Sequence, residues 1–195
     1  MLDISDTKNQ LKSIKFAFDV VIPDNNEEEF IDVALALGYN DIVFLTNNIN
    51  YTKIKSSKIS IKTAYLIRDN PEISRAKKRF DFVFAVADRK YFESKVDFII
   101  YSEDSDRKDS FHYRSTSLNQ VHAQLSKNNN ITLGINFGAL LSDPKNIRLT
   151  FGKMIQNAKL IKKYKIKYEI FSLATNPKLM RSKIILNSLE KVLKL

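Results

Sequence analysis

Basic side chains that can bind phosphate recur in the second half of the chain, in predicted loops and at predicted helix starts. An arginine guanidinium binds a phosphate through two parallel hydrogen bonds, and a lysine ammonium acts as a point charge. A histidine among them can bond either a phosphate or a backbone carbonyl, and a tyrosine can either stack on an unpaired base or anchor its loop. The candidate nucleic-acid-binding residues are Arg107, His112, Tyr113, Arg114, Lys145, Arg148, Lys178, Arg181 and Lys183.

The positive charge of the chain lies in its last quarter. The 195 residues carry a net charge of +10. Residues 1–144 hold 19 Lys and Arg against 20 Asp and Glu, whereas residues 145–195 hold 13 against 2. A concentration of positive charge attracts polyanions such as nucleic acids. A lysine-rich helix that is merely solvated has the same composition, so both interpretations stay open. Both interpretations predict exposed lysines on one helix, namely Lys153, Lys159, Lys162, Lys163 and Lys165.

The residues needed for self-sufficient catalysis are scarce. Cysteine is absent, which excludes disulfides and thiolate chemistry and fits a reducing cytoplasm. His112 and His122 are the two histidines, and we interpret His122, beside the apolar face of its predicted helix, as a packing residue or a residue at the edge of the buried surface. No P-loop, GxGxxG or GxSxG motif occurs. We predict no catalytic residue and no metal ligand. A magnesium site made only of carboxylates is the alternative that stays open, and Asp19, Asp41 and Asp81 flank predicted strands. Aspartates in such positions are more often caps or ion-pair partners.

Strand-like and helix-like segments alternate along the chain, which predicts a parallel sheet covered by helices. Gly38 is placed to end the first helix, and Asp143 with Pro144 to begin the long basic one. The predicted strands are 15–23, 41–46, 58–67, 80–87, 96–102, 131–141 and 167–174. The predicted helices are 25–39, 88–95, 118–127, 144–165 and 177–193.

About seven parallel strands fit either an open sheet or a closed, slightly irregular TIM-like (β/α) barrel. The segment ITLGINFG favours the barrel, because small side chains on one face alternate with large apolar ones on the other. The small face carries Thr132, Gly134, Asn136 and Gly138, and the apolar face carries Ile131, Leu133, Ile135 and Phe137. Small side chains would face the crowded barrel interior; a bulge or a ligand near the backbone is the alternative. We expect one domain over residues 1–195. The N-terminal residues do not read as a signal peptide and no apolar run suits a bilayer, so we expect no membrane contact.

Residues 107–141 and 152–182 resemble a known family, the archaeal ribonuclease P protein component 3, a barrel-shaped protein subunit of that complex. The residues that match the motifs of this family in order and spacing are Arg107, Asp109, His112, Tyr113, Arg114, Leu118, Asn119, Gln120, Val121, Ile135, Asn136, Phe137, Gln156, Asn157, Lys163, Tyr164, Ser172, Ala174, Met180, Arg181 and Ser182. The chain departs from the family at Ser117, where the family has glycine, and near Lys183 and Ile185, where it has proline and aspartate.

The resemblance implies a cofactor-free subunit of an endoribonuclease holoenzyme that matures the 5′ end of tRNA. In the family, the RNA subunit binds magnesium and removes the 5′ leader of precursor tRNA. The implied partners are ribonuclease P RNA, precursor tRNA indirectly, and other protein subunits, especially the Pop-five-type subunit. Two alternatives remain: a metal-dependent phosphoesterase of the polymerase-and-histidinol-phosphatase barrel type, and a protein-interaction domain without an RNA role.

Overall fold

All seven strands of the structure lie parallel in one sheet, in the order in which they occur in the sequence. The computed structural model describes residues 18–67, 72–101, 103, 114–142 and 144–195. The strands are β1 (Phe18–Val21), β2 (Asp41–Thr46), β3 (Ser60–Ile67), β4 (Phe82–Val86), β5 (Phe98–Ile100), β6 (Thr132–Asn136) and β7 (Tyr168–Phe171). Parallel neighbours need crossovers, and helices supply most of them.

Helices separate most of the strands and cover the outside of the sheet. They are α1 (Glu27–Ala36), α2 (Ile73–Arg79), α3 (Arg89–Phe92), α4 (Gln120–Asn128), α5 (Ala139–Ser142), α6 (Ile147–Tyr164) and α7 (Lys183–Leu193), with a 3-10 turn at Pro177–Leu179. As predicted, Gly38 terminates α1, and its backbone is left-handed, with φ at +79°. Its N–H donates to the Leu35 carbonyl at 3.0 Å, and the Tyr39 N–H donates to the Ala34 carbonyl at 3.0 Å. These two bonds form the Schellman arrangement that ends many helices.

The sheet curves until its first and last strands meet, so the fold is a nearly closed TIM-like barrel, as predicted. The closing seam, the junction of β1 with β7 and the residues after it, has one parallel bridge between Val21 and Ala174. The Ile22 N–H donates to the Ala174 carbonyl at 2.8 Å. Below the bridge, the Asp19 carboxylate takes the place of a ladder carbonyl and accepts the Ser172 N–H at 2.8 Å.

The barrel interior is a packed apolar core rather than a channel. Its rings include Phe84 and Phe98, stacked with centroids 4.6 Å apart, and Phe171, whose ring lies 5.7 Å from that of Phe98. Two further apolar clusters lie between the strands and the helices. Strand alternation explains this division, since successive side chains point into the barrel and out toward the helices.

The predicted division of β6 into a small inner face and a large outer face is confirmed. Leu133 and Ile135 belong to the cluster under the helices. A Cβ placed on Gly134 would lie 2.7 Å from Ile100 Cγ2 and 3.3 Å from Phe171 Cδ2, both of which belong to the interior core. Gly134 has no side chain, and the space that a Cβ would need is therefore available to the side chains of the interior core.

Several predicted boundaries were wrong for local reasons. The strand predicted over 131–141 ends at Asn136, because the Asn136 side chain accepts the Ala139 N–H at 3.2 Å and starts α5. Helix α6 begins at Ile147 after Asn146, so Pro144 lies in a turn and not at the first helical position; Asp143 is outside the described residues.

The last predicted helix and the segment between β3 and β4 also differ. Helix α7 begins at Lys183 and not near residue 177, because the Asn176 side chain accepts the Lys178 N–H at 3.0 Å and starts a 3-10 turn instead. The chain becomes extended at Met180 before α7 starts. Helix α2 was not predicted. Its seven residues bury only Ala76, so it lacks an apolar periodicity that could be recognised.

Candidate nucleic-acid interface

The barrel brings the described basic candidates to one end. Arg114 follows β5, Lys145 and Arg148 follow β6, and three more basic residues follow β7. In a parallel sheet the segments after neighbouring strands leave from the same edge, so these segments share the carboxyl end of the barrel. Arg107, His112 and Tyr113 lie outside the described residues, and their roles stay predictions.

Helix α6 holds two of the arginines near each other. A Cβ placed on Gly152 would lie 3.1 Å from Arg114 Nε and 3.6 Å from Arg114 Cγ, so the Arg114 side chain lies across this glycine. Arg148 lies four residues before Gly152 and is therefore on the same face of α6, one turn away. Arg114 and Arg148 are both exposed. The role of Gly152 was missed in the sequence, because a helical glycine alone does not show what packs on it.

The three basic candidates after β7 differ in whether their charged groups face solvent or contact the protein itself. Lys178 is exposed in the 3-10 turn. Arg181 instead uses Nη1 within its own segment, donating to the Lys178 carbonyl at 3.0 Å and the Met180 carbonyl at 2.7 Å. Lys183 Nζ lies 3.7 Å from Glu169 Oε1, a carboxylate that is nearly buried. Lys178 is thus the candidate of this segment whose charge faces solvent.

A tyrosine that the sequence did not single out contacts the same segment. Tyr39 follows α1, and its side chain is 4% exposed in the cluster between α1 and the sheet. Its hydroxyl donates to the Arg181 carbonyl at 2.8 Å. The two residues are 142 positions apart in the sequence, so no local pattern signals the contact.

A buried carboxylate lies beside this segment, in the closing seam. Asp19 is fully buried, and its Oδ1 accepts the N–H groups of Val20 at 2.9 Å and Ser172 at 2.8 Å. Its Oδ2 has no hydrogen-bond partner among the described residues. Burial raises the pKa of Asp19 to about 6, although the bonds from Ser172 and Val20 and the charge of Lys183 oppose the rise.

The lysines of α6 are not all exposed, which corrects the prediction for one of them. Lys153 is 7% exposed, next to the buried Met154. Lys153 lies on the same buried side of α6 as Asn157, so the aliphatic part of its side chain packs against the protein. The exposed lysines at this helix are Lys159, Lys162, Lys163 and Lys165.

The carboxyl-end mouth, where barrel enzymes hold their active sites, is mainly apolar here. A cavity of about 480 Å³ lies there. It is lined by Ile22, Pro23, Leu45, Thr46, Asn47, Leu66, Val86 and Tyr101. Across the part of the chain that the structure describes, no group of three or more histidine, aspartate or glutamate side chains is arranged to hold a metal ion. Nor does any helix in the described ranges have the length and apolar character to cross a membrane.

Other polar residues considered from the sequence have structural roles. His122 bonds through Nδ1 to the Ser117 carbonyl at 2.7 Å and stacks on Phe92 at 4.4 Å, which confirms its interpretation as a packing residue. Asp81 accepts the Thr63 N–H at 2.8 Å and pairs with Lys53 at 3.1 Å. Asp41 lies 3.8 Å from Lys62. Asp41 and Asp81 therefore join neighbouring elements near the starts of strands.

The fold and these contacts define a nearly closed (β/α) barrel with basic residues at its carboxyl end. No protein-family model matches the sequence, and no curated protein is similar to it. Among solved structures, the chain is similar to one in the cryo-EM structure of archaeal ribonuclease P with mature tRNA, with a TM-score of 0.70 and 19% sequence identity. The similarity covers 89% of this chain and 82% of that chain. At this identity, the similarity shows a shared fold.

Proposed function

We propose that this protein is an RNA-binding subunit of ribonuclease P, which supports the RNA subunit in removing the 5′ leader of precursor tRNA. The observation that carries the proposal is the similarity in fold to a chain of archaeal ribonuclease P over most of both chains. Fold alone does not determine function, because barrels host many activities. The basic residues at the carboxyl end and the motif resemblance supply the independent support.

The residues that carry the motif resemblance include positions that build this barrel. Asn119 caps α4 by accepting the His122 N–H at 2.9 Å. Ser172 and Ala174 form the closing seam, and Met180 is 3% exposed beneath the segment that follows. A resemblance at such positions supports a shared way of closing the barrel, and not only a shared composition.

The charges support RNA as the partner at the carboxyl end. Arg148 and Lys178 are exposed on the segments after β6 and β7, and neither makes an ion pair with another described residue. A cation that keeps its charge in solution can replace the counterions of a phosphate, and the release of those counterions favours binding. The basic residues therefore provide a sequence-independent attraction for an RNA backbone.

A salt titration of binding to ribonuclease P RNA tests this assignment. The Arg148→Gln/Lys178→Gln variant should bind more weakly, and the slope of log affinity against log salt should become shallower by about one to two. The matched control is Lys58→Gln/Lys127→Gln, which removes two exposed lysines before β3 and β6, at the opposite end of the barrel. Equal slopes for the two double variants would contradict an RNA interface at the carboxyl end.

We further propose that α7 contacts a protein subunit, with the Pop-five-type subunit as the expected partner. One face of α7 is buried through Leu186, Leu189 and Leu193. The exposed aliphatic residues of the same helix are Ile184 (78% exposed), Ile185 (43%) and Val192 (60%). Apolar side chains gathered on one exposed helix favour a protein partner, because an RNA backbone offers them no apolar surface.

Co-elution with the Pop-five-type subunit tests the role of α7. Ile184→Ser/Val192→Ser should abolish co-elution while leaving the affinity for RNA unchanged. Val121→Ser is the matched control, because Val121 is 55% exposed on α4, away from α7. Retained co-elution of the α7 variant would refute this contact.

A further inference from the structure

We infer that Tyr39 is a positioning residue for RNA binding: its hydroxyl fixes the backbone of residues 176–183, the basic segment, so that Lys178 is presented to phosphate. The inference rests on the proposed function. It starts from the distribution of hydrogen bonds in the basic segment.

Three carbonyl groups of the basic segment accept hydrogen bonds from side chains. Arg181 Nη1 donates to the carbonyls of Lys178 and Met180, and Tyr39 donates to the carbonyl of Arg181 itself. The Asn176 side chain accepts the Lys178 N–H. Of these donors, Tyr39 is the one that lies outside the segment, and it links the middle of the basic segment to the rest of the barrel. The ion pair of Lys183 with Glu169 is a second polar link, at the end of the segment where α7 begins.

Apolar contacts hold the same segment against the barrel but leave its rotation less defined. Pro177 and Met180 are buried, and Met180 belongs to the same cluster as Tyr39. Apolar packing is not directional, whereas a hydrogen bond fixes both a distance and an angle. The Tyr39 bond at 2.8 Å therefore determines how the turn that carries Lys178 is oriented.

Orientation of this turn affects affinity because a lysine on a mobile loop loses conformational freedom when it binds. A segment already fixed in its binding geometry avoids that cost. Tyr39 has no charge and is 4% exposed, so it does not contact RNA directly. Its effect must pass through the residues that it orients, and this requirement separates a positioning role from a contact.

Binding to ribonuclease P RNA by wild type and Tyr39→Phe tests the inference. We expect Tyr39→Phe to bind about threefold to tenfold more weakly, the range that one lost hydrogen bond produces. The salt slope should not change, because no charge is removed. Tyr65→Phe is the matched control: Tyr65 is 8% exposed, and its hydroxyl donates to Glu72 Oε2 at 2.7 Å, away from the basic segment. It should bind like wild type.

A double-mutant cycle with Lys178 shows whether Tyr39 acts through that residue. In a Lys178→Gln background, Tyr39→Phe should change the affinity less than twofold, since the charge that it positions is gone. An undiminished effect in that background would overturn the inference, as would wild-type affinity for Tyr39→Phe itself.

Amide hydrogen exchange separates failure of this inference from failure of the proposed function. Without RNA, Tyr39→Phe should increase exchange in residues 178–186 relative to wild type, while β3 stays protected. Unchanged exchange in that range would overturn the positioning role even if RNA binds. Conversely, a wild-type protein that does not bind RNA refutes the proposed function, and the exchange result still decides whether Tyr39 fixes the segment.

Discussion

The buried carboxyl group of Asp19 predicts a specific dependence of stability on pH. Asp19 is fully buried in the closing seam, and burial raises its pKa to about 6 from an ordinary value of 3.8. The folded protein therefore holds this proton more tightly than the unfolded chain does. Below pH 3.8 both states are protonated, and the group imposes no penalty. As the pH rises from 3.8 to 6, the folded state becomes progressively less stable, and above pH 6 the full penalty is present.

The size of the penalty follows from the shift in pKa. A rise of about two units corresponds to about 3 kcal/mol of unfolding free energy. The groups that face Asp19 are Ser172 and Val20 as donors, Lys183 as a favourable charge, and Tyr39. Asp19→Asn keeps an oxygen that can accept the Ser172 N–H but cannot ionise. Part of this penalty is already present at pH 4, so the stability difference between Asp19→Asn and wild type should shift by about 2.5 kcal/mol in favour of the variant between pH 4 and pH 7.5.

Urea unfolding at a series of pH values measures this difference directly. Comparing the variant with wild type at each pH cancels the titration of all other groups, and it also cancels any constant cost of burying the new amide. Asp32→Asn is the matched control, because Asp32 is exposed on α1; its difference from wild type should stay flat. A flat difference for Asp19→Asn as well would refute the reasoning that burial controls this carboxyl group.

Two glycines give further predictions. Gly134→Ala should lower the free energy of unfolding by about 1–3 kcal/mol in urea unfolding, because the new Cβ lies 2.7 Å from a side-chain carbon in the packed barrel interior; an unchanged unfolding free energy would contradict the account of the interior. Gly152→Ala should raise the free energy of unfolding by up to about 1 kcal/mol, because alanine favours a helix. The same change displaces Arg114, whose Nε lies 3.1 Å from the new Cβ, and should weaken binding in the RNA titration. Unchanged RNA affinity would show that Arg114 is not a contact.

The parts of the fold that depend on local patterns could be predicted from the sequence. Strand β2 matches its predicted range of 41–46, because an unbroken apolar run is bounded by polar residues. The inner face of β6 and the termination after α1 at Gly38 also follow from rules of alternation and of left-handed backbone. Each of these features is specified by residues within a few positions of one another.

The contacts that sequence patterns could not reveal join distant residues. Tyr39 with Arg181, and Asp19 with Ser172, are separated by 142 and 153 positions. The charge pattern therefore treated Arg181 and Lys183 as equal to Lys178, although the first bonds its own segment and the second pairs with Glu169. The exposure predicted for Lys153 was wrong for a related reason. Helical spacing shows where the apolar stripe of α6 lies, but not how much of the helix surface the neighbouring elements cover.

Reconstitution of ribonuclease P tests the central claim most directly. Precursor tRNA cleavage would be followed with the RNA and protein subunits of an archaeal ribonuclease P, in the presence or absence of this protein, over a range of magnesium concentrations. We expect the protein to increase removal of the 5′ leader and to lower the magnesium concentration required, with Arg148→Gln/Lys178→Gln less effective than Lys58→Gln/Lys127→Gln. Cleavage that is the same with and without the protein at every magnesium concentration would contradict its assignment as a ribonuclease P subunit.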